Sequence, residues 1–134
     1  MNIMTKPKER SLNYHVGIAM LLRLYNNDIN TFNENYNEYR YYCFSFKYIE
    51  KSKDDYIKAY RYMMDILYPY KRRGRTYITR ETHIAIVQGL HYLTGMNYED
   101  AIDGYEEMCL EYHIKYMARS SLLKWCSEDD TWVV

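Results

Sequence analysis

The sequence predicts an all-α fold: a single helical domain over residues 1–134, arranged as a bundle of five to six helices. Three observations carry this reading. Breakers are scarce, with five Gly and two Pro, so turns are few and helices long. Apolar residues recur three and four positions apart through most of the chain, which is the helical period. The hydrophobic fraction is 48% and the charged fraction 27%, a balance that suits a packed core and argues against a disordered chain.

Pro7 suits the first turn of a helix. Leu12, Val16, Met20 and Leu24, with Leu21 beside them, give residues 9–25 one apolar face, and Asn26 and Asn27 end it. Asp28 is placed to cap a second helix. Its seam is Ile29, Phe32, Tyr36, Tyr39, Cys43 and Phe46, at separations of 3, 4, 3, 4 and 3. Fewer than three heptads favour packing within one bundle over a free coiled coil. Residues 52–55 open a third helix with Ile57, Tyr60, Met64 and Leu67 as its stripe, and Pro69 stops it. Residues 70–77 form the one clear loop.

Thr79 is set to cap a fourth helix, with Glu81 in its first turn, Ile86, Leu90 and Leu93 on its buried face, and Gly95 as its left-handed C-terminal residue. Asn97 with Asp100 resembles a capping box for a fifth helix running to about residue 118, in step with Ile102, Tyr105, Cys109, Tyr112 and Tyr116. A short sixth helix starts at Ser120 or Ser121 and runs through Trp125. Residues 131–134 read as a short strand or docked extension. No linker, internal repeat or low-complexity tract stands out.

Composition bounds the function. The chain holds 18 Tyr against three Phe and two Trp. A tyrosine buries a ring and keeps a polar tip, so it serves half-exposed core positions and contact surfaces alike. Cys43, Cys109 and Cys126 are odd in number and lack CxxC spacing, and the first ten residues are polar and charged. A reducing cytoplasm with free thiols is the expectation. The longest apolar stretch, 16–24, is interrupted by Arg23 and too short to span a bilayer, so no membrane segment is expected. Net charge is zero, but residues 1–80 carry 15 Lys/Arg against eight Asp/Glu, and residues 81–134 carry three against ten. The basic half suits nucleic acid or an acidic protein; the acidic half suits a basic protein or the basic half of a second copy, as in a homo-oligomer.

The candidate contact residues follow from charge and aromaticity. Lys71, Arg72, Arg73 and Arg75, followed by Arg80 and flanked by Tyr68, Tyr70 and Tyr77, can neutralise phosphates while rings stack on unpaired bases. They serve an acidic protein surface equally well, or a solvated loop facing the chain's own acidic fifth helix. Asp103, Glu107 and Glu111 offer a second, acidic contact face. A helix-turn-helix reading of the fourth and fifth helices meets the wrong charge: Glu99, Asp100, Asp103, Glu106, Glu107 and Glu111 would repel a duplex. Cys109 and His113, four apart, could share a helical face toward zinc, with Cys43, His83, His91 or Cys126 as a third ligand, but only one such pair exists. A buried thiol is the plainer reading. Neither G-x-S-x-G nor G-x-x-x-x-G-K occurs, and no cofactor or resident metal is expected.

Residues 84–101, IAIVQGLHYLTGMNYEDA, resemble a segment of phage-type papain-like cysteine peptidases, whose pattern is roughly D-C-x-x-R-A-L-x-x-A-T-G-x-x-Y-x-x-V. Leu90, Thr94, Gly95 and Tyr98 match, with Gly89 at a small-residue position. Ala85 stands in the slot of the catalytic cysteine, Ile84 in that of the aspartate and Gln88 in that of the arginine, so no catalytic residue carries over. The resemblance implies an inactive relative or a shared helical hairpin, of phage or mobile-element origin. The expectation is therefore a non-enzymatic accessory protein that binds and modulates a macromolecular partner, first a protein. The alternative is an RNA- or single-stranded-DNA-binding protein using the basic loop 71–80.

Overall fold

The computed structural model describes residues 7–25, 30–71 and 74–130. Among them the chain forms six helices: α1 (Leu12–Tyr25), α2 (Phe32–Phe46), α3 (Lys53–Leu67), α4 (Arg80–Thr94), α5 (Tyr98–Glu111) and α6 (Arg119–Asp130). No helix of the described residues is long and apolar enough to cross a membrane.

Side-chain caps set most boundaries. Ser52, Thr79 and Asn97 each accept a hydrogen bond from the backbone N–H three residues on, at Asp55, Thr82 and Asp100. Gly95 takes the left-handed conformation (φ 73°) that ends α4. The start of α2 differs from expectation. Asp28 lies outside the described residues, and the cap is Thr31. Its hydroxyl accepts from the Glu34 N–H at 3.2 Å, while the Glu34 carboxylate accepts from the Thr31 N–H at 3.0 Å. This reciprocal pair satisfies two orphan donors at once, an advantage that a lone Asp28 lacks.

The helices α1 and α4 form the centre and pack against each other more extensively than any other pair. Each is buried through nine consecutive residues, 14–22 and 82–90. A helix buried all round is a core helix, not a one-faced surface helix. The two backbones come close at glycines. A Cβ added at Gly17 would lie 2.5 Å from Ala85 Cβ and 2.8 Å from the Thr82 carbonyl oxygen; one added at Gly89 would overlap the Leu21 side chain. Helices α2 and α3 pack on α1, and α5 and α6 on α4.

The second half repeats the first, contrary to the expectation of no internal repeat. Helix α4 follows α1 at an offset of 68 residues (His15 to His83); α5 and α6 follow α2 and α3 at 66 (Cys43 to Cys109). The buried spans 14–22 and 82–90 coincide under that offset. A single-residue parallel bridge sits at the same place in each half, Lys8 with Tyr48 and Thr76 with Ile114. The Lys8 N–H donates to the Lys47 carbonyl at 2.7 Å, and the Thr76 N–H to the His113 carbonyl at 2.8 Å. Lys47 and His113 both hold a left-handed backbone, at φ 56° and 57°.

That closure also shortens α5, which stops at Glu111 instead of running to about residue 118. The Ile114 N–H donates back to the Cys109 carbonyl at 2.8 Å, as the Tyr48 N–H does to Cys43, and the chain leaves the helix to pair with Thr76. Three smaller corrections concern faces. The buried side of α3 is Tyr56, Ala59, Met63, Ile66 and Leu67, so Ile57, Tyr60 and Met64 flank it. Leu93 is exposed. Helix α6 runs past Trp125 to Asp130. Asn26, Asn27, Ile29 and the tail 131–134 lie outside the described residues.

Candidate functional site

The loop after α3 and the C-terminal end of α5 face each other across an open cleft of about 870 Å³. Tyr70, Lys71 and Gly74 line one side; Glu111, Tyr112 and His113 line the other, with Asp65 of α3 at the rim. Pro69 ends α3 and turns the chain outward, which leaves Tyr70 almost wholly exposed at 98%. The two sets of contact residues read from the sequence thus meet at one place, through Lys71 and Glu111. Among the described residues neither Lys71 nor Arg75 has an ion-pair partner. Arg72 and Arg73 lie outside the described residues.

The other predicted contact residues are not gathered there. Lys115 Nζ lies 5.6 Å above the Tyr77 ring, and the Arg80 guanidinium 4.6 Å above the Trp125 ring of α6. Asp103 is bonded to Arg119, which also donates to Glu106 at 2.7 Å and to the Glu99 carbonyl at 3.1 Å. Arg119 therefore offsets part of the acidic face of α5. Glu107 and Glu111 stay exposed or nearly so beside a second, smaller cleft of about 260 Å³ that Leu24 and Tyr25 also line. Burial and those two carboxylates, with Cys109 and Tyr112, push the Tyr25 hydroxyl up to about 12.

The groups with intrinsic reactivity are inside. In the first half Tyr39 Oη lies 2.9 Å from His15 Nδ1 and accepts from the Lys51 N–H at 2.6 Å. In the second half Tyr105 Oη lies 2.6 Å from His83 Nδ1 and accepts from the Met117 N–H at 2.9 Å. Each tyrosine also bonds the cysteine four residues on, Cys43 or Cys109. Burial lowers both histidines to about 4 and raises both thiols to about 12. The other His83 nitrogen donates to the Ile78 carbonyl, so Nδ1 is the acceptor and Tyr105 donates to it. The matching His15 Nε2 is buried without a partner among the described residues.

These placements revise the zinc geometry. Cys109 and His113 do not share a helical face, because α5 ends between them: Cys109 is buried against Tyr105, whereas His113 is exposed beyond the helix. The α4–α5 pair does make a glycine turn, but α4 is the core helix and the outer face of α5 is acidic.

One polar cluster escaped the sequence reading. Arg10 is 7% exposed, and its guanidinium carbon lies over the Tyr14 ring, 3.8 Å from the centroid. Its guanidinium donates to Asp129 at 2.6 Å and to Glu81 at 3.1 Å. Lys8 Nζ and Gln88 Nε2 also donate to Asp129, at 3.2 Å and 2.6 Å, and Tyr14 Oη donates to Gln88 Oε1 at 2.6 Å. Burial works against the Asp129 charge, but the bonds from Gln88 and Arg10 and the charges of Arg10 and Lys8 outweigh it and hold its pKa below the usual value. No periodicity or motif links residues 8, 10, 88 and 129, so only the fold could bring them together.

Comparison of the chain with protein-family models, with curated proteins and with solved structures returns no match.

Proposed function

We propose that the protein is a non-enzymatic interaction protein that binds a macromolecular partner, in the first place another protein, through exposed aromatic and aliphatic side chains. One contrast carries the reading. The reactive groups His15, His83, Cys43 and Cys109 are buried and bonded within the core, while Tyr70 (98% exposed), Phe44 (84%), Tyr77 (70%) and Tyr41 (69%) stand in solvent. A neutral histidine with a pKa near 4 and a thiol near 12 are poor general bases and nucleophiles at neutral pH. Exposed tyrosine and phenylalanine are typical anchors of protein contacts. Function as a phage or mobile-element accessory factor rests on the resemblance of residues 84–101 alone.

The second reading, RNA or single-stranded DNA held by the loop, is favoured by Tyr70, Lys71, Arg75 and Tyr77, all clustered in sequence and exposed or nearly so. It is weakened by Asp65 and Glu111 at the same cleft. Other basic residues are engaged elsewhere: Lys8 bonds Asp129, and Lys58 lies 4.0 Å from Asp55.

Labelled single-stranded RNA, single-stranded DNA and duplex DNA are titrated at two salt concentrations against the protein and a variant with Lys71, Arg72, Arg73 and Arg75 changed to Ala. The first reading expects no saturable binding even at low salt. Binding that falls steeply with salt and vanishes in the variant would replace it with the second. In parallel, affinity capture compares the protein with an F44S/Y70S/Y77S variant. A partner retained by the former and lost by the latter supports the first reading; identical capture profiles count against it.

A further inference from the structure

The internal repeat places the same structural slot at two positions in the molecule, and the slots are filled differently. Met63 of α3 is fully buried, and the repeat sets it in register with Met20, Ile78 and Thr82. The residues that match these under the repeat are Asp129 of α6, Gln88, Arg10 and Tyr14, so each slot draws on both halves. An apolar residue has become a carboxylate held by three donors from two parts of the chain, the segment before α1 and helix α4. Arg10 is buried while the Asp129 side chain keeps 21% exposure, and an ion pair drawn this far out of water is seldom more stabilising than apolar packing of the same volume. The first half shows that this fold accepts the apolar version, so stability alone does not account for the polar one.

The donors are also prepared independently of Asp129. Arg10 is fixed by stacking on Tyr14 and by Glu81, and Gln88 is fixed by the Tyr14 hydroxyl. The helix that delivers Asp129 is held more lightly than its counterpart. Helix α3 buries Tyr56, Ala59, Met63, Ile66 and Leu67, whereas α6 buries Leu122 and Cys126. The segment preceding α6, residues 115–118, is largely exposed.

We propose that Lys8, Arg10 and Gln88 form a carboxylate-binding site that the chain's own Asp129 occupies, and that α6 is a displaceable arm whose release opens the site to a carboxylate of an acidic peptide. The site is independent of the loop at residues 70–77 and of whatever meets that loop.

The test is chemical rescue in the full chain. Asp129→Ala removes the carboxylate that the three donors share, while Arg10 keeps Glu81. Its thermal midpoint is followed in sodium acetate and in sodium chloride at equal ionic strength. Selective filling of the vacated site by acetate at ~0.5 M is expected to raise the midpoint by about 3 °C over chloride. The same gain is expected to disappear in an R10M/D129A variant. A peptide of residues 119–130 replaces acetate in a parallel series, and rescue at far lower concentration identifies a peptide side chain as the better source. Equal midpoints in acetate and chloride would overturn the proposal. Should D129A fail to fold, D129S, whose shorter side chain also vacates the site, serves the same comparison. Hydrogen exchange on the unaltered protein gives an independent reading: amides of α6 are expected to exchange faster than those of α3, and equal protection rules out a displaceable arm.

Discussion

The two halves share a frame and differ in what fills it. Tyr39 and Tyr105 each tie a histidine on the first helix, the cysteine four residues on and a backbone amide beyond the second helix. Behind that common tie the first half is aromatic. Tyr39 and Tyr56 stack with ring centroids 3.8 Å apart, joined by Tyr36, Phe32 and Tyr60. In the second half the matching positions are Tyr105, Leu122, Ile102, Tyr98 and Cys126, and the ion cluster around Asp129 stands where Met63 stands in the first. The tie joins the first and second helices in both halves and is kept, whereas the third helices, α3 and α6, lie outside it and differ in chemistry.

Acid should break both ties together, and this is the largest effect expected. Each histidine is neutral in the fold with a pKa near 4, against 6.5 for the free side chain. A folded-state pKa below the unfolded one means that the unfolded chain binds more protons on acidification. Stability is therefore complete above about pH 6.5 and is lost on descent toward pH 4, by up to about 3 kcal/mol per histidine. Thermal midpoints measured from pH 7.5 to pH 4.5 should fall steeply across that window; a flat profile contradicts the assignment. Because His15 Nε2 has no partner among the described residues while His83 donates to Ile78, His15→Leu should cost about 1 kcal/mol less than His83→Leu.

The crossing of α1 and α4 tests the frame itself. Gly17→Ala should cost about 3 kcal/mol in chemical denaturation, because its Cβ meets the Thr82 backbone as well as Ala85. Gly89→Ala should cost less, about 1–2 kcal/mol, because it meets the end of a leucine side chain that can turn. Equal losses would show that the crossing is looser than its geometry. Tyr39→Phe and Tyr105→Phe should each cost about 1–2 kcal/mol, and by similar amounts, since each strands a backbone N–H and an imidazole nitrogen. A loss in one half alone would deny that the two ties are equivalent. The smallest effect belongs to Phe44 and Leu110, which occupy matching exposed positions. Changing either to Ser should move stability by less than about 0.5 kcal/mol.

Local chemistry made much of the fold readable in advance. Ser52, Thr79, Gly95 and Asn97 act as caps because each decision involves groups only a few residues apart. The end of α5 was hidden, because the helical spacing runs on through Tyr112 and Tyr116 while the stop is imposed by Thr76, 38 positions before Ile114. The repeat was hidden for two reasons. Few identical residues survive, among them His15/His83, Tyr39/Tyr105 and Cys43/Cys109, and the offset shifts from 68 to 66 between the first and second helices. Of the site, exposed loop residues such as Tyr70 and Lys71 could be picked out by charge and aromaticity. Arg119 and the Arg10–Asp129 cluster could not, since an ion pair across 119 residues leaves no local pattern.

The pairing of α1 with α4 also bears on how the chain is made. Synthesis releases α1, with nine consecutive residues that the finished protein hides from water, well before α4 leaves the ribosome. Over that interval α2 and α3 cover part of α1, while the side around Gly17 and Leu21 has nothing to rest on. Contacts this distant in sequence close slowly, and an uncovered apolar helix invites association with its neighbours. A nascent chain stalled after α3 should therefore be more prone to association than the finished protein, in which α4 covers that side of α1.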